Sequence, residues 1–276
     1  MITRKFNPGS LALTALSVCL ALIFLFPLIF GLFASFKVES VSFKDAIDWF
    51  KPPYTLANYL KILQSSRVPL WTFNSFLIAI IGTAVGLTIS ALAAYPLAKM
   101  EFAGKRGVYF YFLLGLMVPG EATIVPLFIT ANGLYLIDTY PGIILPGLAG
   151  SMGLIIMVSF FRAIPKELLE VAHLDGAKHG TIFFRIIIPL SRTVLVTTCI
   201  LSFIGSWNSY LWPLLCAMSE QMFTLPIGLP TFEGTYATDR VITITGNMVA
   251  SIPALIAFLI FEQQITRGIA MTGIKE

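Results

Sequence analysis

Residues able to do chemistry are scarce in this chain, and the densest group of them lies between Arg162 and Arg192. There Glu167 and Glu170 precede His173, Asp175-Gly176-Ala177 and His179, and Phe183 is followed by Ile186-Ile-Ile-Pro189-Leu190. Pro165 suits the first turn of a helix, and Glu167 beside it complements the positive end of the helix dipole. Leu168, Leu169 and Ala172 give that helix an apolar stripe. Gly176 permits a left-handed or sharply turned backbone that a side chain would penalise. A second short helix from about Lys178 is expected to stop before Pro189, which lacks an N–H and disfavours helix in the residue before it. The chemistry on offer is recognition. A carboxylate such as Glu170 on a protruding helix can form a charge-assisted pair with a Lys or Arg of a partner. The only two histidines of the chain, His173 and His179, lie in this hairpin, where solvation or interface packing accounts for them.

The elements that must carry the hairpin are apolar. Hydrophobic residues make up 57% of the chain and charged ones 12%, with a mean hydropathy of +0.86. A soluble domain carries roughly twice that charge. Six apolar runs are long enough to cross a bilayer: Leu11–Phe33, Asn74–Ala98, Val108–Ala131, Gly142–Phe161, Thr193–Leu215 and Ile242–Phe261. The first is read as an uncleaved span, because a signal peptide's hydrophobic core is only about 7–15 residues long. The second is rich in Gly, Ala, Ser and Thr, which let helices approach closely in lipid. The third is interrupted by Pro119-Gly120 and Pro126. The connector Lys37–Trp71 holds a short surface helix over Leu56–Leu63, and Cys216–Val241 is the second sizeable connector. Cys19, Cys199 and Cys216 show no metal-ligand or CxxC spacing and read as packing residues.

The net charge of +4 does not signal nucleic acid, because the basic residues cluster at the ends of apolar runs. With six spans, twelve of the 18 Lys and Arg fall on the side of the N-terminus and six on the other. By the positive-inside rule the N-terminus, the hairpin and the C-terminus are cytoplasmic. Three further places hold candidate residues. Glu121, deep in the third run, either satisfies unwound backbone N–H groups or touches a substrate. Trp207, Asn208 and Trp212 can stack on and hydrogen-bond a sugar ring, or serve as interfacial aromatics and a helix-to-helix amide. Tyr236 and Asp239 lie in an external loop that either meets a partner or is merely solvated.

The order Glu170-Val-Ala172, Asp175-Gly176-Ala177, Phe183 and Ile186-x-x-Pro189-Leu190 resembles the coupling loop of permease subunits in binding-protein-dependent ABC importers. Within that family it is most similar to the carbohydrate group, specifically the maltose-type permease without a large external domain. Asn74-Ser75 and Ala93-Ala94-Tyr95-Pro96-Leu97-Ala98 match too, so the resemblance runs from Asn74 onward. It departs at Val171, where the family has Ala, at Arg192, where Pro is common, and at Gln263-Gln264. The resemblance implies an all-α, type I importer permease with six transmembrane helices and a cytoplasmic coupling hairpin. Its domains would be an N-terminal span and connector, 1–72, a permease core, 73–262, with its coupling loop at 162–190, and a cytoplasmic tail, 263–276. It implies that Glu167, Glu170, Ala172, Asp175, Gly176, Ala177, Phe183 and Pro189 couple to the ATPase. Partners would be a homologous second permease subunit in a heterodimer, two ATPase subunits holding ATP and Mg, and an extracytoplasmic solute-binding protein. The setting would be a bacterial inner membrane. The chain has no GxxxxGK[ST], so it is expected to bind no cofactor and to be no enzyme. The implied cargo is a sugar, oligosaccharide or polysaccharide. The alternatives are a non-sugar solute, or a stand-alone carrier or channel, which would show ionisable residues in several spans or internal repeats.

Overall fold

The computed structural model describes residues 8–38, 46–65, 67–235 and 240–273. They are helical, with one isolated antiparallel bridge between Lys37 and Tyr54. In chain order the helices are α1, Pro8–Ser35; α2, Ala57–Ser65; α3, Val68–Lys99; α4, Lys105–Met117; and α5, Ile124–Gly133. Then follow α6, Tyr140–Ile144; α7, Ser151–Ala163; α8, Lys166–Leu174; α9, His179–Ile182; and α10, Ile188–Leu190. The last four are α11, Arg192–Trp207; α12, Leu211–Cys216; α13, Leu225–Thr235; and α14, Arg240–Gly273.

Among the described residues, α1 (over Leu13–Ser35) and α3 are long and apolar enough to cross a membrane. Three bent pairs join them, so the count is two spans, or up to five if each pair is one. Lys105–Met117 and Gly120–Gly133 meet at 98°, Tyr140–Gly147 and Ser151–Ala163 at 41°, and His179–Leu190 and Arg192–Trp207 at 78°. The sixth expected run lies inside α14.

Each departure from the uninterrupted runs has a local cause. Val118 and Pro119 are extended (ψ 117° and 135°), as a residue before proline and a proline without a donor favour, and the third run breaks there as anticipated. The fourth run breaks unexpectedly, at a short 3₁₀ turn, Leu145–Gly147, followed by Gly150 with ψ 117°. The fifth stops at Trp207 and restarts at Leu211, which puts Pro213 in the first turn of α12, where its missing N–H costs nothing. In the same way α3 starts at Val68, six residues before the expected Asn74, with Pro69 in its first turn. Residues 263–273, read as a separate tail, continue α14.

The chain forms two compact units, Met1–Val68 with Leu229–Ser251, and Pro69–Gly228 with Ile252–Glu276. In the first, α1 leaves its apolar side chains exposed, Phe24 at 78%, which suits a lipid-facing helix. Its C-terminal end closes on a polar knot. The Ser35 carbonyl accepts from Asn58 Nδ2 (3.0 Å) and Thr245 Oγ1 (3.1 Å), and the Ser35 hydroxyl meets the Tyr59 hydroxyl at 2.7 Å. Lys37 is buried there, donating to the Lys51 carbonyl with its ammonium 5.0 Å from the Tyr54 ring centroid. Buried polar groups are tolerable only when so paired.

The second unit has its main core where α3 and α7 run together under α8 to α10. Ala94, Tyr95, Ala98, Met157, Phe161 and Ile187 are among its buried members. A smaller core gathers Ile78, Ile143, Cys216 and Ile227. Asn74, buried at the N-terminal part of α3, ties it to the segment before α13: its Nδ2 donates to the carbonyls of Gln221 (2.8 Å) and Phe223 (2.9 Å).

Candidate functional site

The hairpin forms as its residues require. Pro165 precedes the first residue of α8, with Glu167 in the first turn. At the other end the Ala177 N–H donates to the Ala172 carbonyl (2.9 Å) and the Gly176 N–H to the His173 carbonyl (3.0 Å). These are the paired bonds of a Schellman C-cap, which needs a left-handed residue, and Gly176 has φ +80°. No atom lies within 4 Å of where a Gly176 Cβ would stand, so its requirement is conformational and not steric.

The return limb differs from expectation. It does not stop before Pro189 but runs through it, as α9, a π-helical turn over Phe183–Ile187, and α10. Pro189 sits in the first turn of α10, where no N–H is needed, and the wider turn before it takes up the mismatch. The break falls instead at Ser191, the corner of the 78° bend into α11.

One face of the hairpin is docked and the other is free. Leu169, Ile182, Phe183 and Ile187 are buried against α3 and α7, and Ala172 and Ala177 pack beside them. Tyr95 of α3 holds the return limb, with its hydroxyl 3.3 Å from His179 Nδ1 and its ring 5.4 Å from that of Phe183. His179 lies edge-on to His173 at 5.0 Å, and both stay exposed on the hairpin. The outward face carries Glu167, Glu170 and Asp175 with Val171 (59% exposed) and Leu174 (88%). A short helix showing carboxylates beside unburied aliphatic side chains is shaped to enter a groove.

A second feature was not visible in sequence. A cleft of about 450 Å³ lies between α3, α7 and α11, under the 146–150 turn and the start of α12. Its described lining has glycines, apolar side chains and hydroxyls, including Ser90, Ser202, Ser206 and Ser209, but no charged residue. Thr83 and Thr198 also line it, each about 5% exposed or less, and neither hydroxyl has a hydrogen-bond partner among the described residues. Such orphans are costly unless something supplies the missing bond.

The sequence candidates distribute unevenly about this cleft. Trp212 lines it, its indole N–H donating to the Gly142 carbonyl (3.1 Å). Trp207 does not: it is buried, edge-on to Phe76 at 4.8 Å and stacked on Phe203 at 6.0 Å. Asn208 is exposed in the break after α11. Glu121 is exposed in the 3₁₀ turn Gly120–Thr123, at the 98° break between α4 and α5. Within that turn the Ala122 N–H donates to the Pro119 carbonyl (3.0 Å) and Thr123 Oγ1 to the Gly120 carbonyl (2.8 Å). Tyr236 and Asp239 lie outside the described residues.

Asp138, which no local sequence pattern marks, is a staple. Its Oδ1 accepts from the N–H groups of Met218 and Ser219 (both 2.9 Å) and from the Ser219 hydroxyl (3.1 Å). The Ser219 backbone N–H foremost holds its carboxyl below the usual aspartate range; burial, next in size, opposes it, and the Ser219 hydroxyl and the Met218 N–H add to the lowering. Among the described residues no cluster of His, Cys, Asp and Glu could hold a metal ion.

Residues 86–267, which include the hairpin and most of the cleft lining, match the family described as "Binding-protein-dependent transport system inner membrane component". The arabinooligosaccharides transport system permease protein AraQ of Bacillus subtilis (strain 168) is 32% identical over 274 residues, 98% of each chain. The trehalose transport system permease protein SugB of Mycobacterium tuberculosis (strain CDC 1551 / Oshkosh) is 34% identical over 80% of this chain and 82% of its own. A chain in the crystal structure of a bacterial ABC transporter involved in the import of the acidic polysaccharide alginate superposes with a TM-score of 0.80. It is 22% identical, covers 95% of this chain and 98% of its own, and so speaks for the fold.

Proposed function

We propose, from the premise that this chain belongs to the binding-protein-dependent transport system inner membrane component family, that it is one membrane half of an ATP-driven importer of a neutral saccharide. The chain is a transport subunit and not an enzyme. The observation that carries the substrate reading is the cleft: hydroxyls without a charge, two of them unpartnered among the described residues, beside Trp212. A neutral polyol can donate to and accept from such hydroxyls, whereas a carboxylated sugar would find no cation there. The names of the relatives agree on carbohydrate, an arabinooligosaccharide in one and trehalose in another.

In this reading the chain crosses the membrane six times, with its basic side and both termini in the cytoplasm. The α8–α9 hairpin docks in a groove on an ATPase subunit, with Glu170 paired to a cation there, and ATP-driven closure of two such subunits rocks the spans. A second permease subunit completes the path, and a solute-binding protein delivers the cargo near Tyr236 and Asp239. The test is uptake into proteoliposomes holding the purified complex, binding protein outside and ATP inside. Labelled neutral oligosaccharides should accumulate with ATP alone. Uptake driven by an ion gradient without ATP would make the chain a secondary carrier, and preference for uronate oligosaccharides would refute the neutral cargo.

A further inference from the structure

Beside the foot of the hairpin, with Lys166 of α8 on its rim, a notch of about 810 Å³ opens where the C-terminal ends of α3 and α7 meet the start of α4. Five cations line it, Lys99, Lys105, Arg106, Arg162 and Lys166, against one carboxylate, Glu101. Glu101 is 84% exposed and meets only Lys105, at 3.2 Å. The inner cations are held by neutral partners. Lys99 donates to the carbonyls of Ile164 and Arg162, the latter at 3.3 Å, Lys105 to the Met100 carbonyl at 2.7 Å, and the Arg162 guanidinium lies 4.3 Å from the Tyr109 ring centroid. Carbonyls and a ring fix these side chains but cancel none of their charge. Glu101 offsets Lys105 and Glu167 acts on Lys99, so the notch keeps a preset, net positive field.

Its other wall is apolar. Phe102, Phe110 and Leu113 line it, and α4 buries none of its residues, with Phe110 59% and Tyr111 73% exposed. A cationic mouth continuous with a lipid-facing helix fits a molecule that is anionic at one end and apolar at the other. We propose that this notch binds the phosphate headgroup of an anionic phospholipid, with an acyl chain along α4. The site needs only that α3, α4 and α7 lie in the membrane; it stands whichever saccharide is carried and whichever way the chain faces.

The test uses the purified full chain, with the subunits that co-purify, in neutral detergent. Phosphatidylglycerol, phosphatidylcholine and inorganic phosphate are each titrated, reading the unfolding midpoint and the bound lipid by native mass spectrometry. Phosphatidylglycerol should raise the midpoint and stay bound, while phosphatidylcholine and free phosphate do neither. Arg106→Gln with Lys166→Gln, two exposed rim residues, should weaken phosphatidylglycerol binding roughly thirtyfold, at about one surface-cation contribution each. Arg106→Lys, which keeps the charge, and Arg185→Gln on the exposed side of the hairpin should leave it unchanged. Three results would overturn the site: equal shifts from phosphatidylcholine, full reproduction by inorganic phosphate, or undiminished binding in the double variant. A phosphatidylglycerol effect that emerges only after an ATPase subunit is stripped away would also overturn it, since the notch would then belong to a protein interface.

Discussion

The α8–α9 hairpin and the cleft between α3, α7 and α11 differ in how far the chain itself completes them. In the hairpin the helix end is capped by its own backbone, the apolar face is covered, and what remains exposed is a charged and aliphatic face. In the cleft, covered hydroxyls of Thr83 and Thr198 have no hydrogen-bond partner among the described residues. The first is a finished element that offers a surface; the second is an unfinished one that offers hydrogen bonds. On the proposed reading that contrast separates a docking device from a passage, and each substitution below presses on one side of it.

The largest effect is expected at the hairpin's turn. Gly176→Val puts a β-branched residue at φ +80°, a strain on the order of 1–3 kcal/mol. Uptake should fall at least about tenfold, because the return limb loses its register. Val171→Ala on the exposed face should change it little. A reversed ranking would show that the turn does not organise the hairpin.

Next is the offered surface. Glu170→Lys should leave the protein folded and inserted but weaken its hold on the ATPase about tenfold, since an attractive exposed pair becomes repulsive. Pull-down at wild-type yield would remove Glu170 from the interface.

The cleft should respond in the opposite sense, in function without stability. Thr198→Val removes a hydroxyl that has no hydrogen-bond partner among the described residues, so the melting temperature should hold or rise. The KM for the carried saccharide should increase about threefold to tenfold, the worth of one hydrogen bond. A destabilised variant with unchanged KM would mean that this hydroxyl serves the fold.

The smallest effect concerns Asp138, whose carboxyl is held low by Ser219 and Met218. A folded-state pKa below the unfolded one gives stabilisation that is complete above the unfolded value and is lost as pH falls through the folded value. Thermal stability should therefore drop below about pH 4 by a part that Asp138→Asn abolishes. An identical acid profile in the variant would show that the staple carries no linkage.

The same contrast explains what could be read in the sequence. The hairpin is built from contiguous residues with local signals, Pro165 before a helix and Gly176 after one, so its position and turn were legible. Only the stop at Pro189 misled, because a π-helical turn let the proline fall where its lost donor is harmless. The apolar runs were legible for the same reason, though not their breaks at Leu145–Gly147 and after Trp207, where proline placement outweighed hydrophobic length. The cleft was not legible. Thr83 and Thr198 are 115 positions apart on different helices, and a single threonine in an apolar run carries no sign of which way it faces. Trp207 and Trp212 look alike in sequence, yet one fills a core between Phe76 and Phe203 and the other lines the cleft. Asp138 had no local pattern either, since its partners lie some 80 residues onward.

The claim on which the rest depends is that the exposed face of α8 enters an ATPase groove. A photoreactive amino acid in place of Val171, which is 59% exposed between Glu170 and Ala172, tests it most directly in membranes that are actively transporting. Irradiation should join this chain to a separate subunit carrying a GxxxxGK[ST] phosphate loop, identified by mass spectrometry, with a yield that changes when ATP is trapped. Crosslinks to lipid alone, in membranes whose uptake is intact, would contradict the account.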